Sequence, residues 1–216
     1  MRREEKKRFC IAIGFLIAFA LWTVPVRLID VQAIGPRGSE VGFATLNGWF
    51  HGVTGVHMTL YTVTDWLGLV PIGVVTGFGV LGLVQWIRRK SLRAVDRSIL
   101  VLGGFYLAVM AVYLLFEAVV INYRPVLIDG CLEASYPSST TMLVLCVIPT
   151  AILQCRTRIR RRAVRLGVTL VLAAFAVFMV VGRLISGVHW LTDIIAGVLL
   201  SAGLVAVYAA VARGSE

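Results

Sequence analysis

Arg183-Leu184-Ile185-Ser186-Gly187-Val188-His189-Trp190-Leu191-Thr192-Asp193 is a short polar passage between two long apolar runs, approximately 166–186 and 190–211. Each run is long enough to cross the roughly 30 Å hydrocarbon core of a bilayer as a helix. Arg, His and Asp are costly at membrane depth and are functional-site candidates by default. His189 and Asp193 are spaced i, i+4. On a helix that spacing puts both on one face, where the carboxylate can hold the imidazole in one tautomer. Arg183, six residues before His189, is suited to gripping an anion. The passage outlines a phosphate-handling site at the edge of a membrane.

The rest of the chain agrees with that setting. Its 216 residues are 59% hydrophobic, with a mean hydropathy of +0.89, which excludes an ordinary soluble domain. Six spans are expected, at about 9–29, 67–87, 98–121, 139–154, 166–186 and 190–211. The fold class is therefore all-α integral membrane, one polytopic domain over 1–216, without an internal repeat. The charged start and apolar stretch at the N-terminus resemble a signal peptide but lack a small-x-small cleavage site. An uncleaved first helix is the expectation.

The net charge of +10 is distributed as a topology signal. Arg2, Arg3, Lys6, Lys7 and Arg8 open the chain; Arg88, Arg89, Lys90, Arg93 and Arg97 follow the second span. Six more arginines occupy 156–165, and Arg213 lies near the C-terminus. With six spans these segments share one side, cytoplasmic by the positive-inside rule. Only Arg27, Arg37, Arg124 and Arg183 fall opposite. The pattern points to anionic lipid and away from nucleic acid. Both termini are expected in the cytoplasm. The four cysteines have no disulfide or metal-ligand spacing.

The extracytoplasmic side carries the chemistry. His51, His57 and His189 map there, with Glu117, Arg124, Asp193 and the loop 122–138. Between the first two spans, Phe43–Tyr61 reads as one amphipathic interfacial helix, with Trp49 and Phe50 at headgroup level. His51 and His57 then read first as polar positions on that helix. Asp65-Trp66 reads as a cap and anchor for the second span, and Gly73, Gly77, Gly79 and Gly82 within it as close helix packing. Glu117-x6-Arg124-Pro125 ends the third span, with Pro125 expected to stop the helix. Tyr136-Pro137-Ser138-Ser139-Thr140-Thr141 opens the fourth, offering hydroxyls and unpaired N–H groups at a helix N-terminus. Capping alone accounts for that last motif, and a snorkelling Arg for Arg124. The functional reading rests on all three segments sharing a face.

In this combination the chain resembles the type 2 phosphatidic acid phosphatase superfamily, integral-membrane lipid phosphatases with a six-helix core. The family pattern is Lys-x6-Arg-Pro, Pro-Ser-Gly-His, then Ser-Arg-x5-His-x3-Asp. Here it reads Glu117-x6-Arg124-Pro125, Pro137-Ser138-Ser139-Thr140, then Gly182-Arg183-x5-His189-x3-Asp193, over a core of about 60–210. The resemblance implies that His189 takes the phosphoryl group and Asp193 orients it. Arg124 and Arg183 would clamp the phosphate, aided by Ser138 and the Ser139 backbone N–H. It implies no metal and no cofactor, and a membrane lipid as substrate.

Two departures are informative. Glu117 stands for the family Lys, and Thr140 for the His that protonates the leaving group. Glu117 and Asp193 then cancel the two arginines. Glu117, or His57 if its helix folds over the pocket, is a candidate replacement acid. Without one, a lipid diphosphate is the favoured substrate class, undecaprenyl diphosphate in particular, because it expels a phosphate rather than an alkoxide. Two other readings stay open: a lipid phosphotransferase, and a non-catalytic family member that binds or transports lipid or serves an interaction. A channel or secondary transporter is disfavoured by the lack of inverted repeats. The oligomeric state is not legible.

Overall fold

The computed structural model describes residues 3–213; Arg2 of the N-terminal basic cluster lies outside the described residues. Among the described residues there are eight α-helices: α1 (Arg3–Leu28), α2 (Ala44–Thr54), α3 (Met58–Leu67), α4 (Leu69–Arg89), α5 (Arg97–Ala118), α6 (Ser139–Arg158), α7 (Arg162–Ile185) and α8 (Leu191–Arg213). Among the described residues six segments are long and apolar enough to cross a membrane, with α3 and α4 together making the second. The all-helical, six-span fold is as the hydropathy predicts.

α6 is the hub. Half of its apolar window is buried, against 6% for the second span. Met142 and Cys146 of α6 join Leu102, Phe105 and Val109 of α5 and Leu200 and Tyr208 of α8 in the main core cluster. Burial within the protein explains why α6 is the least apolar span and why its end is hard to read. It continues past 154 to Arg158 because its polar residues find partners. Gln154 donates to Ser98 O (3.1 Å) and to the Tyr208 hydroxyl (2.7 Å), and Arg158 reaches Gln154, Ser98 and Asp96.

The connections gather at two ends. At one, Arg158 and Arg89 pair with Asp96. At the other, His57 N–H donates to Ser186 O, Arg37 to Gly130 O, and Trp190 Nε1–H to Tyr123 O. The segments 29–57, 119–138 and 186–190 therefore meet, and all three histidines are found there.

Four local expectations are corrected. The stretch Phe43–Tyr61 is not one helix: Gly55 at φ +68 ends α2, and α3 starts afresh at Met58. Asp65 consequently sits late in α3 rather than capping the second span. The third span ends at Ala118, well before Pro125. The β-branched run Val119-Val120-Ile121 is a poor helix former, and the following backbone is held elsewhere, with Asn122 O accepting from Ser135 N–H at 2.9 Å. The glycines of the second span are mostly not packed. An added Cβ at Gly73, Gly77 or Gly79 would meet nothing within 4 Å, and only Gly82 lies close, 3.0 Å from Ile99 Cγ2.

The close packing is found elsewhere. A Cβ on Gly182 of α7 would come within 2.7 Å of Thr64 Cγ2 on α3, and one on Gly187 within 2.0 Å of Gly55 O. α3 is thus pressed onto α7 beside the site. α2 is fastened to α8 by buried Asn47, which donates to Thr192 Oγ1 (3.0 Å) and accepts from Thr192 N–H (3.2 Å).

Candidate active site

His189 lies in the turn before α8, not on the helix, which corrects the shared-helix reading. Gly187 adopts the left-handed region at φ +71, and Trp190 N–H donates to Asp193 Oδ2 at 2.9 Å, closing the helix start. The turn still brings His189 Nδ1 to 3.7 Å from Asp193 Oδ2. That is ion-pair range and longer than a hydrogen bond. Asp193 also accepts from Asn122 Nδ2 at 3.3 Å, and its carbonyl accepts from Ser138 N–H at 3.1 Å.

The other imidazole nitrogen, Nε2, is 3.2 Å from Arg124 Nη1. A guanidinium only donates, so Nε2 carries the lone pair and Nδ1 the proton, facing Asp193. His189 is 2% exposed. Burial first, then the positive charges of Arg124 and Arg183, hold its pKa well below the ordinary histidine value. The imidazole is neutral at pH 7, the form a nucleophile requires.

Arg183, 1% exposed, is held near the end of α7. Its guanidinium stacks over Tyr61 at 4.8 Å, and Nη1 is 3.6 Å from Asp65 Oδ1. Its Nε and Nη1 have no hydrogen-bond partner. Arg124, 7% exposed, sits in the 119–138 loop, where its N–H donates to Glu133 O and its Nε pairs with Glu133 Oε2 at 2.9 Å. Arg124 thus touches the neutral imidazole, and both buried guanidiniums oppose its protonation.

The helix start of α6 completes the surroundings. Ser138 is fully buried and its hydroxyl caps the helix, accepting from Thr141 N–H at 3.5 Å. Ser139 and Thr140 are half-buried and line a cavity of about 440 Å³ together with Asp65.

Among the described residues neither replacement-acid candidate forms an ion pair or hydrogen bond with the two arginines. Glu117 is exposed and lines a small cleft with Ser135, Tyr136 and Ser139. His57 is exposed, and its Nε2 contacts Thr54 O at 2.9 Å within its own turn. The carboxylates that do reach the guanidiniums are Glu133 and Asp65, which spacing alone does not single out. Asn122 and Ser135 were likewise illegible, since their contacts depend on how the loop folds across the helix ends.

This geometry is accompanied by matches to known proteins. The model of the PAP2 superfamily matches residues 73–215. The chain belongs to the PAP2 superfamily. The matched region contains Arg124, Ser138, Arg183, His189 and Asp193. Among solved structures it is similar to a transmembrane PAP2-type phosphatidylglycerolphosphate phosphatase from Bacillus subtilis. That likeness has a TM-score of 0.54 at 16% identity and covers 95% of this chain and 96% of the other. At that identity it is the fold that is shared. No curated protein matches the chain. Family membership and the six-span fold make this an integral-membrane member of a lipid-phosphatase family.

Proposed function

We propose that the protein hydrolyses a lipid diphosphate, undecaprenyl diphosphate being favoured, through a phosphohistidine on His189 at the extracytoplasmic face. The observation that carries this reading is the buried, neutral imidazole whose Nε2 lies 3.2 Å from the buried Arg124 guanidinium, with the charge of buried Arg183 also felt at the ring. Arg124 and Arg183 draw the terminal phosphate in, and Nε2 attacks its phosphorus. The bond to the bridging oxygen breaks, and the lipid monophosphate leaves with the electron pair. Water then attacks the phosphohistidine, releasing inorganic phosphate and restoring the imidazole. The protein supplies positioning and electrostatic stabilisation, the main terms in phosphoryl transfer. Asp193 stabilises the positive charge that the ring gains, and Ser138 and Ser139 support the phosphate end.

The substrate class follows from the leaving group. Thr140 cannot donate a proton as an imidazolium would, Glu117 makes no ion pair with the arginines, and His57 Nε2 is occupied with Thr54 O. General-acid help is worth about 10²–10⁴-fold to an alkoxide leaving group; a departing phosphate needs little of it. The extracytoplasmic assignment follows from the basic segments, which occupy the opposite end of the bundle.

The test is phosphate release by detergent-purified protein offered undecaprenyl diphosphate and phosphatidic acid in parallel, with His189→Ala as control. Release from the diphosphate that vanishes in the variant is expected. Strong release from phosphatidic acid and none from the diphosphate overturns the leaving-group argument. The pairing of Glu133 and Asp65 with the two guanidiniums favours a second reading, a non-catalytic family member whose anion site is already partly neutralised. If folded protein releases phosphate from neither lipid, it is a phosphotransferase awaiting an acceptor or a non-catalytic lipid binder.

A further inference from the structure

Hydrolysis of a phosphohistidine needs a group that takes a proton from the attacking water. His189 cannot supply it, because its Nε2 is then bonded to phosphorus. Asp193 is fully buried, facing Nδ1 of the ring and accepting from Trp190 N–H and Asn122 Nδ2. Among the described residues two carboxylates pair with the arginines, Glu133 and Asp65. Glu133 pairs with Arg124, whose Nη1 is 3.2 Å from His189 Nε2. It therefore belongs to the side from which the imidazole attacks. Asp65 belongs to the other guanidinium.

The fold fixes Asp65 in that place. Thr64 is fully buried and seated against Gly182, where a Cβ would come within 2.7 Å of Thr64 Cγ2. The next residue on each helix is thereby brought together, Asp65 with Arg183. Tyr61, one turn before Asp65, stacks on the same guanidinium. The contact to Asp65, 3.6 Å from Nη1, is an ion pair without a hydrogen bond, since Nη1 has no hydrogen-bond partner. Arg183 therefore keeps its N–H for a phosphate oxygen, and Asp65 keeps its lone pairs for water. The Asp65 side chain is 58% exposed. It lines the cavity of about 440 Å³ with Ser139 and Thr140, ample for water at about 30 Å³ per molecule.

We infer that Asp65 is the general base that activates water against the phosphohistidine. This inference rests on the phosphohistidine reading above and assigns its second step. One water spans a carboxylate oxygen and a phosphorus about 6 Å apart, lying about 2.8 Å from the first and about 3–3.5 Å from the second. A phosphoryl oxygen on Arg183 Nη1 puts the phosphorus within that reach of Asp65. As the water oxygen bonds to phosphorus, its proton passes to the Asp65 carboxylate. The P–Nε2 bond breaks, and its electron pair returns to the ring. Inorganic phosphate leaves, and Asp65 gives the proton to solvent. Because the proton is gone before the next lipid arrives, Asp65 supplies no acid to the first leaving group. The preference for a diphosphate stands.

The experiment is rapid-quench kinetics of the full chain in detergent, with undecaprenyl diphosphate labelled with ³²P in its terminal phosphate. Formation and breakdown of the phosphoenzyme are followed separately. In Asp65→Asn, checked for folding by its thermal transition, breakdown is expected to slow roughly 10²-fold while formation changes less than about threefold. The covalent label then accumulates. Asp65→Ser is expected to behave alike. Hydroxylamine, a nucleophile that needs no base, is expected to discharge the wild-type and variant phosphoenzymes at equal rates. A residue that merely steadied Arg183 would slow formation and leave no accumulated label, and that result overturns the proposal. Accumulation in Glu133→Gln with none in Asp65→Asn overturns it too. No phosphoenzyme in the wild type or in either Asp65 variant would sink the histidine reading itself. Labelled wild-type protein with unchanged breakdown in Asp65→Asn sinks the base assignment alone.

Discussion

His189 presents Nε2 to Arg124 and turns Nδ1 toward Asp193, so one side chain is oriented by a cation and an anion together. The chemistry expected of it has a pH signature. Its charged form is disfavoured by burial and by the two guanidiniums, so the ring stays neutral as pH falls through the ordinary histidine value of about 6.5. The rate of phosphoenzyme formation is therefore expected to stay flat from pH 8 through about 6.5, as read by rapid quench; an acid limb centred at 6.5 would contradict the assignment. The same depression has a stability sign. Below about pH 6.5 the unfolded chain binds a proton that the folded site refuses, so His189 lowers stability progressively as pH falls. His189→Gln is expected to flatten that part of a melting-temperature-against-pH curve. Asp193→Asn, which leaves the ring without its orienting charge, is expected to lower kcat roughly 10³–10⁴-fold, as for other carboxylates that orient a catalytic imidazole. These residues were legible because Arg, His and Asp are conspicuous beside apolar runs. Glu133 and Asp65 were not, since nothing in their own neighbourhood distinguishes a carboxylate facing a guanidinium from one facing water.

Among the elements, the six spans could be read from hydropathy, and what was missed lies at their ends. A helix end is set by tertiary partners that spacing does not reveal. Gln154 and Arg158 extend α6 because α5 and α8 receive them, and α5 stops early because Asn122 and Tyr123 are held by Ser135 and Trp190. The glycines carried a similar ambiguity: Gly73, Gly77 and Gly79 of α4 have nothing within 4 Å of an added Cβ, whereas Gly187 permits contact with Gly55. Gly187→Ala combines a left-handed φ of +71 with a Cβ placed 2.0 Å from Gly55 O. It is expected to destabilise by about 2 kcal/mol or more, seen as a lower thermal midpoint in detergent. Asn47→Ala breaks the buried link between α2 and Thr192 and leaves that threonine without its partner. A loss of about 1–3 kcal/mol is expected, measured by the same melt; an unchanged midpoint would show that α2 is not fastened as described.

For the whole molecule, the charge distribution and the geometry concern opposite ends. The site and the loop 119–138 share one end, and the basic segments 88–97 and 156–165 share the other. Cys131 is exposed in that loop, so a membrane-impermeant maleimide is expected to label it in intact cells; labelling only after permeabilisation would put the site on the cytoplasmic side. The central claim is that His189 carries the phosphoryl group, and it is tested most directly by acid–base stability of a trapped phosphoenzyme. Purified protein would be mixed with undecaprenyl diphosphate labelled with ³²P in its terminal phosphate and quenched within milliseconds. A covalent label that survives base, is lost in acid and is absent from His189→Ala is the expected result. Phosphate release with no such label, or a label retained in His189→Ala, would contradict the account.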